Sequence, residues 1–369
     1  MEPDQKIGVG IIGLSAKRGW ASTAHIPALK LNPEFEIRAL CASSPESATE
    51  AAEKFGVPLA FSNFREFVVL PEIDMVVVTV KVPFHYELVT AALDAGKMVY
   101  CEWPLGNGLG EAKEMATMAR VKGIRTFTGL QARSAPEIRY VRDLISSGYV
   151  GEVLSTSMVA SGNGWGGTTR PESLYQLDPR NGATLLTIPF GHAVDALCWC
   201  LGEFNEVTGT HALRRTYAKM ADTGLEYPNA TDDQLVVSGI LESGAVASIH
   251  YRGGTSRGTN FLWEINGTEG DIQITGNSHL QFGNIKIRGA NGTDTSLSDL
   301  PVPSTYVGVA GDPTSLSFNL AQVYSTLLKD IQQNTHTLPS FDDGLIRHKM
   351  LYSIEKAFES GKRQYLKDD

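Results

Sequence analysis

The residue types best able to hold a charged ligand in this 369-residue chain cluster after its first apolar run. Ile7 to Gly13 (IGVGIIG) is β-branched and stops on glycine, and Gly13-Leu14-Ser15-Ala16-Lys17-Arg18-Gly19-Trp20 follows. The exposed N–H groups of such a loop, at the entrance to a helix, donate to phosphate oxygens. Gly13, Leu14, Ser15, Lys17, Gly19 and Trp20 are therefore candidate contacts for a pyrophosphate. Ser15 stands where the G-x-G-x-x-G fingerprint has its second glycine; its hydroxyl adds a donor, and Lys17 and Arg18 add positive charge. An ordinary strand-to-helix turn is the other reading. A second candidate is Cys41-Ala42-Ser43-Ser44-Pro45, at the end of a second apolar run. Chains that select NAD carry an acid here for the ribose 2′-hydroxyl. None is present, and Ser43 and Ser44 can donate to a 2′-phosphate, which favours NADP over NAD. Ser44-Pro45-Glu46 also reads as a helix cap with proline at the first helical position, and both roles can hold together. A third candidate, Ser161-Gly162-Asn163-Gly164-Trp165-Gly166-Gly167, joins glycines to one large aromatic. It reads either as a cover for a sugar ring carried by Trp165 or as a plain glycine-rich turn. Cys41, Cys101, Cys198 and Cys200 lack metal-ligand spacing and read as reduced core residues, so no metal site is expected.

The elements that would position these residues alternate. Ala24 to Leu31 reads as a helix, Phe35 to Ala42 as a strand, Ser44 to Phe55 as a helix, Ile73 to Val80 as a strand and His85 to Ala95 as a helix. Met98 to Glu102, Gly110 to Lys122 and Arg125 to Gly129 continue the series. Strands alternating with helices imply a parallel, doubly wound Rossmann sheet, whose ligands lie outside the carboxyl ends of the strands. The later runs Leu235 to Leu241, Val246 to Tyr251, Phe261 to Ile265 and Ile272 to Ile274 are short, with turn signals between them, and read as a meander. Leu316, Leu320, Val323, Leu327 and Ile331 form one stripe, which makes Ser315 to Gln333 an amphipathic helix. Two domains are expected, 1–133 and 134–369. A net charge of −9 provides no basic footprint for nucleic acid or an anionic membrane. Met1 to Lys6 lacks the pattern of a signal peptide, and no run approaches a membrane span, so a cytoplasmic location is the expectation.

Val9 to Leu29, Val82 to Val89 (VPFHYELV), Tyr100 to Leu105 (YCEWPL) and Gly129 to Arg133 (GLQAR) resemble the glucose-fructose oxidoreductase, inositol dehydrogenase and rhizopine-catabolism family. Gly267-Thr268-Glu269-Gly270 and Phe341-Asp342-Asp343-Gly344 extend the resemblance over almost the whole chain. The phosphate loop, Glu102-Trp103 and the run Thr187 to Asp195 (TIPFGHAVD) are similar to the branch that includes the fungal galactose-regulon repressor. The resemblance implies an α+β second domain with a large, open, mostly antiparallel sheet, and a homodimer. It also implies that Val80, Val82, His85, Glu102, Trp103 and Gln131 join the phosphate loop, Ser43 and Ser44 in holding NADP or NAD.

Active members of that family resemble one another in a Glu-Lys-Pro motif and an Asp-x-x-x-His motif. Here the first reads Glu102-Trp103-Pro104, and an indole N–H cannot exchange a proton near neutral pH. Trp103 can shape a substrate site but cannot replace the lysine as acid or base. The second keeps His192, with Ile188 in the carboxylate position. His192 is then the candidate proton shuttle, or a histidine bonded to backbone; Asp195, one turn on, can orient it, and Tyr175 can supply a hydroxyl. Arg133 can meet a substrate anion or join the domains. Three functions follow from these residues: an NAD(P)-dependent oxidoreductase of a sugar or other small polyhydroxylated or carbonyl substrate; a dinucleotide-binding regulator without turnover, with a protein partner; and a biosynthetic enzyme using the cofactor without net redox change.

Overall fold

In the computed structural model, which describes residues 6–366, the first apolar run is β1 (Ile7–Ile12), buried at every position. A strand without a polar face must be covered on both sides, which a parallel sheet achieves through its crossover helices. The chain continues through α1 (Ile26–Lys30), entered by a wider helical turn at Ala21–His25, then β2 (Phe35–Cys41), α2 (Pro45–Phe55) and β3 (Leu59–Phe61). It goes on through α3 (Phe64–Val68), β4 (Met75–Val78), α4 (His85–Asp94), β5 (Met98–Glu102), α5 (Leu109–Lys122) and β6 (Thr126–Gly129). The six strands are parallel, in the order β3-β2-β1-β4-β5-β6. The order reverses between β1 and β4, the arrangement of a dinucleotide-binding Rossmann sheet.

The chain divides into two compact units, Met1–Ser134 with Val307–Ile346, and Ala135–Tyr306 with Arg347–Asp369. The second opens with α6 (Pro136–Ser146) and builds a nine-stranded sheet with β7 (Val153–Gly162) near its centre. Beside β7 stand β14 (Phe261–Gly267), β15 (Gly270–Gly276), β16 (Ile285–Asn291) and β17 (Ser298–Asp299) on one side. On the other are β13 (Val246–Gly253), β12 (Gln234–Leu241), β9 (Phe204–Ala212) and β18 (Gln364–Tyr365). Only the β7–β13 pair is parallel. A small sheet joins β8 (Thr168–Thr169), β10 (Tyr217–Met220) and β11 (Glu226–Pro228). One face of the large sheet buries Met158, Ala160, Val237, Ile249, Trp263 and Ile265. The other leaves Ser157, Val236 and Ser248 exposed, as alternation along a strand requires. The buried helix of this unit is α7 (Gly191–Leu201). The chain returns to the first unit as α8 (Phe318–Gln333) and ends with α9 (Phe341–Ser360), which runs from one unit into the other.

Two expectations are corrected. A second domain running unbroken from 134 to 369 does not form: Leu320, Val323, Tyr324 and Leu327 of α8 pack with Ile7, Val9, Leu29 and Phe35 in one core. Their stripe was visible in the sequence, but a stripe does not say which core it joins. Pro179–Leu201 is also long and apolar enough for a membrane span, with a mean hydropathy of 1.4, yet 78% of that window is buried within the protein. Helices that are apolar all round are found in cores as well as in bilayers. The expectation about a signal peptide falls on Met1 to Lys6, of which residues 1–5 lie outside the described residues.

Candidate functional site

In the first unit the strand order places the crevice beyond the ends of β1 and β4. Gly13 turns the chain there with φ +99°, and a Cβ would lie 2.9 Å from both Thr79 Oγ1 and Val80 Cγ1, so the turn closes against the end of β4 only because the residue is glycine. Its N–H donates to Cys41 O at 2.9 Å. Among the described residues the next three N–H groups, of Leu14, Ser15 and Ala16, have no protein acceptor. Successive unpaired amides in a turn form a nest for an anion, so the loop fits the diphosphate of a dinucleotide. The Leu14 side chain is buried, anchoring the loop, and Ser15 Oγ accepts the Lys17 N–H at 3.3 Å. From α2, Lys54 Nζ donates to Ala16 O at 2.5 Å. Lys17 instead reaches out to Glu50 at 3.3 Å, and both are well exposed. Gly19 accepts hydrogen bonds from Ser22 Oγ and Thr23 Oγ1, opening the next helix, and Trp20 packs half-buried on the core.

At the tip of β2, Ser44 caps α2 by accepting the Ser47 N–H at 3.2 Å, while Ser43 is exposed. At the ends of β4 and β5, Val82 is buried and His85 stands with Nε2 3.0 Å from Val80 O and Nδ1 2.9 Å from Pro104 O. Burial lowers the His85 pKa, so the neutral ring donates to one of these carbonyls and holds the two loops together. Trp103 is buried beside a cis bond to Pro104, and Glu102 accepts a hydrogen bond from His25 Nε2 at 2.8 Å. Gln131 is buried, and its Oε1 has no partner among the described residues. Arg133 is paired at 2.9 Å with Asp343, whose other oxygen accepts from the Ser340 N–H, so this arginine fastens the return segment of its own unit.

In the second unit α7 carries His192, which is 3% exposed and whose Nδ1 has no hydrogen-bond partner among the described residues. Burial and the neighbouring His279, 6.0 Å away between ring centroids, push its pKa well below the ordinary histidine value. His279 donates from Nε2 to Pro189 O at 2.7 Å and accepts the Gln281 N–H at Nδ1, and burial lowers its pKa to about 4 against the opposing effect of the Pro189 hydrogen bond. Tyr251 lies 6.2 Å from the same ring, its buried hydroxyl also without a partner among the described residues. Asp195 does not bond to the Nδ1 of His192. It faces Arg347 Nε at 3.3 Å, in a buried cluster where Glu203 takes both terminal nitrogens of the guanidinium, at 3.0 and 2.7 Å. Tyr175 is half-buried in the turn Pro171–Leu177, where burial raises its hydroxyl pKa. Trp165 is held rather than loose: its Nε1 donates to Ala183 O at 3.0 Å, and its carbonyl occupies the space beside Gly253 that a Cβ would fill.

Sequence reasoning missed His25, Lys54, Tyr324 and His279. His25 lies in the helix read over Ala24 to Leu31, and Lys54 in the helix read over Ser44 to Phe55. Neither carries a spacing signal, because their partners are distant in the chain.

The family model described as the oxidoreductase family with an NAD-binding Rossmann fold matches residues 7–130, and that of the Gal80p C-terminal domain matches residues 136–276. The galactose/lactose metabolism regulatory protein GAL80 of Saccharomyces cerevisiae is 32% identical over 296 residues, covering 74% of this chain and 67% of that protein. Dehydrogenase aclE of Aspergillus oryzae is 26% identical over 372 residues, covering 97% of each. The crystal structure of a super-repressor mutant of Gal80p from Saccharomyces cerevisiae superposes with a TM-score of 0.88 at 25% identity, covering 98% of both chains.

Proposed function

Because the chain belongs to the glucose-fructose oxidoreductase, inositol dehydrogenase and rhizopine-catabolism family, near its Gal80-like branch, we propose that it is a nicotinamide-dependent dehydrogenase of a sugar or another small polyhydroxylated or carbonyl compound. The observation that carries the reading is the Nδ1 of His192, buried and without a hydrogen-bond partner among the described residues, on a ring whose pKa burial lowers. A bound dinucleotide supplies the hydride acceptor or donor. The amides of Leu14 to Ala16 hold its diphosphate. In the oxidising direction His192 takes the proton of a substrate hydroxyl, and its lowered pKa keeps it in the accepting form throughout the neutral range. Trp103 shapes the substrate site without moving a proton. The likeness to a dehydrogenase over 97% of each chain supports this reading. At the ribose, the absence of an acid beside Ser43 favours NADP, so Ser43→Asp should weaken NADP binding by at least tenfold while sparing NAD.

A second reading, a dinucleotide-binding regulator, is favoured by Trp103 in the lysine position and by the commitment of Asp195 to Arg347. The two are separated by identifying the dinucleotide that copurifies and following reduced-nicotinamide absorbance over a panel of sugars and carbonyls. The dehydrogenase predicts turnover that falls at least a hundredfold in His192→Ala with dinucleotide affinity unchanged, and an acid limb of kcat/KM well below the ordinary histidine pKa. Tight dinucleotide binding with no turnover across the panel would decide for the regulator. Trp103→Lys probes the lost position: a gain in rate marks chemistry that the tryptophan replaced, and a loss marks a different mechanism.

A further inference from the structure

A buried polar chain runs through the first unit from Tyr324 in α8, through His25, to Glu102 at the end of β5. Tyr324 Oη lies 2.7 Å from His25 Nδ1, and His25 Nε2 lies 2.8 Å from Glu102 Oε1. Tyr324 and His25 are fully buried, so the tyrosine hydrogen needs an acceptor, and Nδ1 is the partner the structure gives it. With the tyrosine donating to Nδ1, the ring hydrogen on Nε2 donates to Glu102. The charge of the chain is then the negative charge of Glu102, whose side chain is only 13% exposed. Among the described residues no lysine or arginine stands within ion-pair distance of it. The charge is felt by its neighbours: beyond the effect of burial, it raises the hydroxyls of Tyr100 and Tyr324 further above the usual tyrosine range. β6 makes room for the group, since a Cβ on Gly129 would lie 2.9 Å from Glu102 Cα and Oε2. A carboxylate mostly removed from water and left without a cation is costly, and a cationic ligand offsets that cost.

In a sheet of this order β1–β3 serve the adenosine half of a dinucleotide and β4–β6 the nicotinamide half, and Glu102 ends β5. We propose that the Glu102 carboxylate, held by His25 and Tyr324, selects the oxidation state of the bound dinucleotide, favouring the oxidised form with its cationic nicotinamide over the neutral reduced form. The inference rests on the dinucleotide reading above and deepens it. His25 and Tyr324 are positioning residues: the tyrosine hydrogen bond to Nδ1 sets the ring so that Nε2 faces the carboxylate.

The test measures dissociation constants of the oxidised and reduced dinucleotides for the purified full chain by calorimetry, with NADP and NAD each used as probe. Glu102→Gln should shift the oxidised-to-reduced ratio towards the reduced form by about tenfold, equivalent to about 1.4 kcal/mol. Tyr324→Phe, which frees Nδ1, should shift it in the same direction with the carboxylate still in place. A ratio unchanged within twofold in Glu102→Gln, even with both affinities reduced, overturns the proposal and leaves Glu102 a structural residue. If Glu102→Gln does not fold, Tyr324→Phe carries the test, and an unchanged ratio there overturns it equally. Failure of the wild-type chain to bind either form is a different result, which removes the dinucleotide reading itself.

Discussion

His192 and His279 show how far a side chain's chemistry is decided by what surrounds it. Sequence reasoning singled out His192 from a family motif and was right that Asp195 lies one turn along the same helix. It could not see Arg347, 152 positions away in the chain, which draws Asp195 into its own cluster. Nothing marked His279, which burial keeps neutral and which Pro189 and Gln281 hold in place. Both histidines have lowered pKa values in the fold and an ordinary value near 6.5 in the unfolded chain. The unfolded chain therefore binds more protons between about pH 6.5 and 4. The stability is fully present above that window and is lost as the pH falls through it. His279 alone, moved from 6.5 to about 4, accounts for a loss of about 3 kcal/mol by the bottom of the window. Urea midpoints of the wild type should thus fall faster from pH 7 to pH 4 than those of His279→Gln. Parallel curves would contradict the assignment.

The elements that hold the phosphate loop were legible because buried parallel strands leave near-continuous apolar runs that glycine and capping residues punctuate. Met98–Glu102 was read with its observed ends, and α2 begins just after Ser44, which the capping pattern picked out. Short or mixed elements were not legible. β3 has three residues and α3 five, and β7 runs Ser155-Thr156-Ser157 before Met158-Val159-Ala160, with no apolar alternation to mark it. The loop geometry was half legible: glycine at position 13 was expected, but its left-handed φ and its contact with Thr79 and Val80 depend on β4. Gly13→Ala places a Cβ against those atoms at a φ that L-residues rarely adopt, a cost of about 1–3 kcal/mol. The strain sits in the turn that orients the amides of Leu14 to Ala16. The expected outcome is a dinucleotide affinity lowered at least tenfold with a melting temperature lowered by a few degrees. Unchanged affinity beside a lowered melting temperature would separate this turn from ligand binding.

At the scale of the whole molecule, the chain builds each of its two units from two separate stretches. Local patterns can show an amphipathic helix, as the stripe of α8 did, but its destination is a non-local choice settled by which core lacks a wall. Leu320, Val323, Tyr324 and Leu327 of α8, together with Leu338, close the same core as Ile7, Val9, Leu29 and Phe35. Burial of five large apolar side chains is worth on the order of 10 kcal/mol, at about 1.5–3 kcal/mol each. That is comparable to the whole stability of a typical domain. The Rossmann half thus depends on residues that lie about 190 to 210 positions beyond its last strand. α8 also brings Tyr324 to His25, so the helix that completes the core completes the buried chain to Glu102. A fragment ending at Ser134 contains all six parallel strands and should still fail to fold, showing little cooperative unfolding in urea and no dinucleotide binding. The same fragment joined through a short linker to Val307–Ile346 should regain a cooperative transition. A fragment that unfolds cooperatively without that segment would show that the six-stranded sheet closes its own core, and would remove α8 from the account of its stability.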